Sequence, residues 1–275
     1  MSSTSGSSKF HYFSCNGKVL PIENAVVPID NLAYSYGFGV YETVRVTNKK
    51  PLFLSEHAER LMQSAKIIGL SHSFTKEFVE NAVLSLIDKI DEPATNCKLL
   101  LIGGDSPELY INCYNPHFSD RKLYASGVSC ITRKFERAYP QAKSLNMQQS
   151  YIAFKDAKKA GAYEVLLVNS KNEITEGTRS NIFGLKDNTL YSPPSSEVLL
   201  GVTRKHVIEI GKGIGLSYKE QPFSFDVISG FENVFITSTS FKIMPVRSID
   251  SYTYEHPVSE TLKNISKKYD EYIKA

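Results

Sequence analysis

The apolar patterning of this chain switches repeatedly between the two-residue period of strands and the 3.6-residue period of helices, and no internal repeat of fixed length accompanies the switching. That alternation restricts the chain to mixed α and β architectures. Gly39–Val46 is rich in β-branched and aromatic residues, and an Asn48-Lys49-Lys50 turn followed by Pro51–Leu54 reads as the second arm of a hairpin. The period then changes. Ser55 stands at an N-cap position with Glu56 in the first turn, Ala58, Leu61, Ala65 and Ile68 recur at three- and four-residue spacing, and Gly69 ends the run. A stripe of that kind buries one helix face and leaves the other to water. A second helix is expected over Lys76–Ile90, then strands over Lys98–Ile102 and Leu109–Tyr114 about a tight turn at Gly103-Gly104-Asp105.

From Asn115 to Arg121 the apolar pattern lapses, and a strand-rich pattern resumes near Val128. We therefore expect an N-terminal α/β domain over 9–115, a linker at 116–121 and a C-terminal α/β domain over 122–275. In the second domain a helix is expected near Gln148–Ala160, strands at Glu164–Val168, Asn181–Leu185 and Thr189–Tyr191, and a hairpin turn at Lys186-Asp187-Asn188. Helices near Thr203–Gly211 and Val258–Tyr272 complete it. Residues 1–8, nearly all Ser, Thr and Gly, cannot bury enough apolar area to offset their ordering entropy and are expected to be a disordered tail. The remainder can, since 41% of the 275 residues are hydrophobic.

Charge and composition narrow the function. A net charge of +3 with acidic and basic residues interleaved offers no polycationic face for nucleic acid or anionic lipid. No run has the length of a membrane span and the first ten residues lack a signal-peptide pattern, so a cytoplasmic location is expected. Cys15, Cys97, Cys113 and Cys130 form no CxxC pair, and the six histidines show no metal-ligand spacing, so no metal site is expected. GxSxG elbows and Walker loops are absent.

Several short polar segments could carry chemistry. Ala142-Lys143-Ser144-Leu145-Asn146 places a lysine just before a helix, where burial or neighbouring charge would make its amine a nucleophile; a solvated surface lysine is the plainer alternative. Thr175–Asn181 lies between two strands and could aim Glu176 into a cleft, or could be an ordinary polar loop. Gly201-Val202-Thr203 opens a helix, whose N–H groups and dipole favour a phosphate as readily as Thr203 serves as a plain cap. Thr237-Ser238-Thr239-Ser240 follows the apolar strand Val234–Ile236 and could present hydroxyls to an anion or simply end the strand. Arg60, on the helix after the hairpin, could supply a guanidinium to phosphate or face solvent. His57, beside it, takes no assigned role. Gly211-Lys-Gly213-Ile-Gly215 superficially resembles a dinucleotide-binding loop but ends a helix instead of opening one.

In order, Tyr36-Gly-Phe-Gly-Val-Tyr41-Glu42-Thr-Val-Arg45, Glu56-His57-Ala-Glu-Arg60-Leu61, Lys143-Ser-Leu-Asn146, Glu173–Phe183, Leu200–Arg204 and Thr237-Ser-Thr239 resemble the motifs of the fold type IV (class IV) pyridoxal 5'-phosphate enzymes. That family includes D-amino acid and branched-chain aminotransferases and aminodeoxychorismate lyases. The resemblance covers about residues 15–250. It implies two α/β domains with the cofactor between them, normally in a homodimer whose neighbour adds a loop to the substrate pocket. It also implies an internal aldimine on Lys143, Glu176 against the pyridine nitrogen, and phosphate held by Arg60, Val202, Thr203, Ser238 and Thr239.

Two departures bear on substrate. The tyrosine that branched-chain enzymes carry shortly after the lysine is replaced here by about Gln148, and the arginine that D-amino acid enzymes carry near the Gly103 turn is missing from Ile102-Gly-Gly-Asp-Ser106. Arg45, Lys98 or Arg179 could replace that arginine, with Tyr36, Tyr41 and Ser240 shaping the pocket. Transamination between an α-amino acid, D in preference to L, and a 2-oxo acid is expected. L-branched-chain transamination and release of pyruvate by aminodeoxychorismate lysis are the alternatives.

Overall fold

The structure is a computed structural model that describes residues 10–274, so the expected tail at 1–8 lies outside the described residues. The chain divides into two compact units. Up to His117 the first unit contains β1 (Tyr12–Cys15), β2 (Lys18–Pro21), α1 (Leu32–Tyr36), β3 (Gly39–Thr47), β4 (Lys50–Pro51), α2 (Leu54–Ile67), α3 (Lys76–Ile87), β5 (Ala94–Ile102) and β6 (Glu108–Tyr114). Its six strands form an antiparallel sheet in the order β2-β1-β6-β5-β3-β4.

Strand alternation sorts β3 into two faces. Val40, Val44 and Val46 pack with Leu99 and Leu101 of β5, Leu109 and Ile111 of β6, and the apolar stripes of α2 and α3, including Ala58, Leu61, Val79 and Val83. Burying each of the larger side chains contributes roughly 1.5–3 kcal/mol. Tyr41 and Thr43 occupy the other face, in register with Leu100 and Lys98 of β5. Helix α2 starts at Leu54 from a left-handed Phe53 (φ 55°), not at a Ser55 cap. Leu52 N still donates to Arg45 O (2.8 Å), so pairing with β3 runs one residue past Pro51 before the left-handed Phe53 turns the chain into the helix. Thr75 Oγ accepts from Phe78 N at the start of α3, which ends at Ile87, short of the expected Ile90.

The first unit also includes Ala142–Asn146, although the sequence assigned 122–275 wholly to a second domain. Main-chain bonds explain the difference. Tyr41 N donates to Lys143 O and Leu145 N donates to Gly39 O, both at 2.9 Å, so the segment continues the sheet along the stretch of β3 that β4 leaves bare. A Cβ at Gly39 would lie 2.7 Å from Leu101 O and 2.9 Å from Leu145 Cδ1, so this crossing needs glycine.

The second unit holds α4 (Arg121–Ser126), β7 (Val128–Lys134), α5 (Gln148–Lys159), β8 (Glu164–Val168), β9 (Ile174–Gly177), β10 (Asn181–Lys186), β11 (Thr189–Ser192), α6 (Val202–Gly213), β12 (Ser217–Glu220), α7 (Phe225–Ser229), β13 (Asn233–Ser238), β14 (Lys242–Ile249), β15 (Tyr252–Thr253) and α8 (Glu260–Tyr272). Its strands run β12-β11-β10-β13-β14-β7-β8-β9. A further pairing of β9 with β10 closes β10-β13-β14-β7-β8-β9 into a ring, through the opposition of Glu176 and Asn181. Parallel pairing of β7 with β8 requires a crossover, and α5 lies on it. Asp187 and Asn188, both at positive φ, make the expected hairpin turn between β10 and β11. The glycine triplet ends α6, with Gly215 at φ 89° just beyond it.

Candidate active site

In the first unit, Lys143 is delivered by the backbone bonds to β3 and by a third, from its own N–H to the buried Ser64 Oγ of α2 (3.1 Å). Its pairing opposite Tyr41 puts both side chains on the face away from the helices, and Lys143 Nζ lies 4.6 Å from the Tyr41 ring centroid. Lys98 Nζ is 5.6 Å from the same ring. The structure thus brings together three residues singled out from the sequence. Arg45 shares their face and is 9% exposed. Tyr36 ends α1 and is 81% exposed.

On the opposite, helix-covered face of β3, Glu42 is fully buried and anchors Arg60. Arg60 donates from Nε to Glu42 Oε1 (2.6 Å) and from Nη2 to Oε2 (2.8 Å). His57 Nδ1 lies 2.8 Å from the same Oε2. Burial alone would push the Glu42 carboxyl up, but the Arg60 charge and the hydrogen bonds from Arg60 and His57 hold it well below the usual carboxylate range. Burial pushes His57 down, opposed by Glu42 and reinforced by Arg60 and Lys143. An anionic carboxylate has no proton to give, so the contact requires the hydrogen on Nδ1 of a neutral His57.

In the second unit, Glu176, Asn181 and Thr237 stand directly opposite one another on β9, β10 and β13 and so share one face. Glu176 Oε2 accepts from Leu199 N (3.0 Å), and its Oε1 forms an ion pair with Arg137 Nε at 2.7 Å. Arg137 Nη2 also donates to Thr178 O (2.7 Å). Asn181 Nδ2 donates to Leu199 O (2.7 Å), just ahead of α6. Gly201, the N-cap of α6, gives the first turn no side-chain acceptor, and Val202 and Thr203 follow it. A Cβ at Gly201 would fall 2.1 Å from Asn181 Oδ1. Thr203 Oγ accepts from Tyr269 OH at 3.5 Å. Ser238 Oγ accepts from Phe241 N (3.3 Å) in the turn between β13 and β14, which also carries Thr239 and Ser240. Arg179 points elsewhere: its guanidinium lies 4.3 Å from the Phe154 ring centroid, with Nε 3.7 Å from Glu164 Oε2.

Arg137 had no place in the sequence reading, Asn181 and Glu42 appeared only inside motifs, Thr237 only as part of the Thr237–Ser240 hydroxyl segment, and His57 was left without a role. Arg137 lies 39 positions from Glu176, so no local spacing marks the pair. Asn181 and Thr237 become neighbours only through the register of the ring.

Comparison with known proteins gives a consistent result. Residues 39–249 match the family described as Amino-transferase class IV. The chain is 31% identical over 250 residues to a D-alanine aminotransferase of Bacillus licheniformis, covering 86% of this chain and 88% of that one. It is 31% identical over 274 residues to a probable branched-chain-amino-acid aminotransferase of Rickettsia bellii (strain RML369-C), covering 92% and 93%. A solved branched-chain amino acid aminotransferase of T.th., complexed with N-(5'-phosphopyridoxyl)-L-glutamate, superposes with a TM-score of 0.87 at 25% identity, over 97% of this chain and 95% of that one.

The residues fit pyridoxal 5'-phosphate. The face of the second unit that bears Glu176 also bears Thr237 Oγ, a buried hydroxyl with no hydrogen-bond partner among the described residues, and lies beside a helix start without a side-chain cap. Those are the features that an acid-paired ring nitrogen and a phosphate dianion require. Among the described residues no helix is long and apolar enough to cross a membrane. From its strand register to its charged side chains, the chain belongs to the class IV aminotransferases, pyridoxal 5'-phosphate-dependent enzymes of fold type IV.

Proposed function

We propose that the enzyme moves an amino group between D-amino acids and 2-oxo acids, with Lys143 as the catalytic base. The observation that carries the assignment of the base is the seating of Lys143 on the β3 edge, on the sheet face that also carries Tyr41 and Lys98. Bound pyridoxal phosphate supplies the carbonyl carbon that takes the amino group and a ring that stabilises negative charge. Lys143 would hold the cofactor through Nζ, and its amine would take the proton from the substrate α-carbon and hold it for return during amino transfer. Glu176 keeps the ring nitrogen protonated. Arg60, the N–H groups of Val202 and Thr203, and the hydroxyls of Ser238 and Thr239 hold the phosphate. Lys98 receives the substrate carboxylate, with Arg45 behind it on the same sheet face.

Similarity to the D-alanine enzyme supports the D preference. Transamination of L-branched-chain amino acids is the second reading, supported by the likeness to the branched-chain enzymes. We also propose a homodimer, because Val26, Val27, Ile29, Leu32 and Tyr36 form an exposed apolar run that water alone covers poorly.

The test mixes holoenzyme separately with D-alanine, D-glutamate, L-leucine and L-glutamate and follows the cofactor absorbance. Conversion to the pyridoxamine form by the D-amino acids, lost in Lys143→Ala, is the expected outcome. Conversion by L-leucine alone establishes the branched-chain reading. Failure of every amino acid while aminodeoxychorismate yields pyruvate overturns transamination in favour of the lyase.

A further inference from the structure

We propose that Glu42 is a positioning residue for cofactor phosphate: by gripping Arg60 side-on from beneath the sheet, it fixes the guanidinium that meets the dianion. The proposal rests on the reading that Arg60 binds that phosphate. Glu42 is the one carboxylate that β3 sends to its helix-covered face, where its strand neighbours at the same alternation are Val40, Val44 and Val46. An acid there costs desolvation that a fourth valine would avoid, and the position is stable only because both carboxylate oxygens are engaged.

The engagement is specific. Nε and Nη2 of Arg60 meet separate oxygens at 2.6 and 2.8 Å, the bidentate side-on geometry that fixes a guanidinium plane. His57, three residues earlier on the same helix face, adds its Nδ1 at 2.8 Å, and Thr43 N lies 3.2 Å from Oε2. Exposure rises from 0% at the Glu42 side chain to 12% at Arg60, so the carboxylate is the buried anchor and the guanidinium reaches toward the surface. A guanidinium already held in plane loses little freedom on binding an anion, whereas an unanchored arginine must be ordered by the ligand itself.

The experiment compares wild-type, Glu42→Gln, Glu42→Asp, Arg60→Gln and the double variant Glu42→Gln/Arg60→Gln as full chains. Affinities for pyridoxal 5'-phosphate and for pyridoxal, which lacks the phosphate, are measured along with the 31P spectrum of each holoenzyme against pH. Glu42→Asp keeps the charge but shortens its reach, so it preserves the test if Glu42→Gln does not fold. We expect each Glu42 variant to weaken pyridoxal phosphate by about 10–100-fold, the usual cost of losing a partner that orients a ligating group, with pyridoxal unchanged. The 31P signal, fixed as the dianion in wild-type, should titrate near ~6 in the variants. The double variant should lose no more affinity than Arg60→Gln alone. Equal weakening of both ligands, or no weakening, overturns the proposal. If Arg60→Gln itself keeps the full preference for the phosphorylated ligand, the phosphate role of Arg60 is what fails, and the proposal falls with it.

Discussion

Arg137→Gln removes a guanidinium that lies 2.7 Å from Glu176 Oε1 and donates at 2.7 Å to Thr178 O. The pair is largely out of water, with side-chain exposures of 19% for Arg137 and 4% for Glu176. Removing one member of a buried ion pair typically costs about 3–5 kcal/mol, because the remaining charge is left uncompensated. Here Glu176 Oε2 keeps its bond from Leu199 N, and the exposed part of Arg137 was already partly screened. The expected loss of stability is therefore smaller, roughly 2–3 kcal/mol. The carboxylate would also be free to turn off its axis, so the amino-acid half-reaction should slow by about 10–100-fold, as when an orienting partner of a catalytic group is lost. Denaturant titration of the holoenzyme and stopped-flow half-reactions measure the two effects. Arg137→Lys should recover part of the stability but less of the rate, since an ammonium cannot reproduce the planar contacts to Glu176 and Thr178. A variant Arg137→Gln with wild-type rate and wild-type stability refutes the idea that this pair orients Glu176.

Two further outcomes follow from the geometry. Because the folded His57 has a lowered pKa while the unfolded imidazole titrates near ~6.5, its contribution to stability is complete above that pH. It is lost as pH falls toward the folded value, at up to about 1.4 kcal/mol per pH unit, so wild-type should lose stability on mild acidification more steeply than His57→Asn; parallel denaturation profiles count against it. Gly201→Ala places a methyl group 2.1 Å from Asn181 Oδ1 and 3.2 Å from Arg204 Cβ, and should cost about 1–3 kcal/mol together with cofactor affinity; an unchanged melting midpoint with and without pyridoxal phosphate rules out so close an approach.

Elements with a long, regular pattern could be read directly from sequence. The stripe of Ala58, Leu61 and Ala65 makes α2, and the β-branched run of β3 is a strand with the alternating faces expected of it. Lys143 and Glu176 were visible because each lies in a short motif whose neighbours are also informative. What escaped were relations across distance. The docking of 142–146 on β3 uses main-chain groups, which every residue possesses, so no side-chain signal announces it. The Arg137–Glu176 pair and the Glu176–Asn181–Thr237 row exist only once the ring has closed. The start of α2 lies at Leu54 because the chain enters the helix through a left-handed Phe53, a backbone conformation that the capping preference of Ser55 does not announce.

The hydrogen bonds that hold residues 142–146 to β3 and α2 use backbone groups of Lys143 and Leu145, not the Lys143 amine. Folding and chemistry are therefore decoupled at this position: any residue that tolerates an extended conformation would be carried to the same spot. With the proposed role of the amine, one codon separates an active transferase from an inert protein of the same architecture. Gene duplication followed by that single change would yield a pseudoenzyme that still binds ligands, a route by which this scaffold can acquire non-catalytic descendants without first paying in stability.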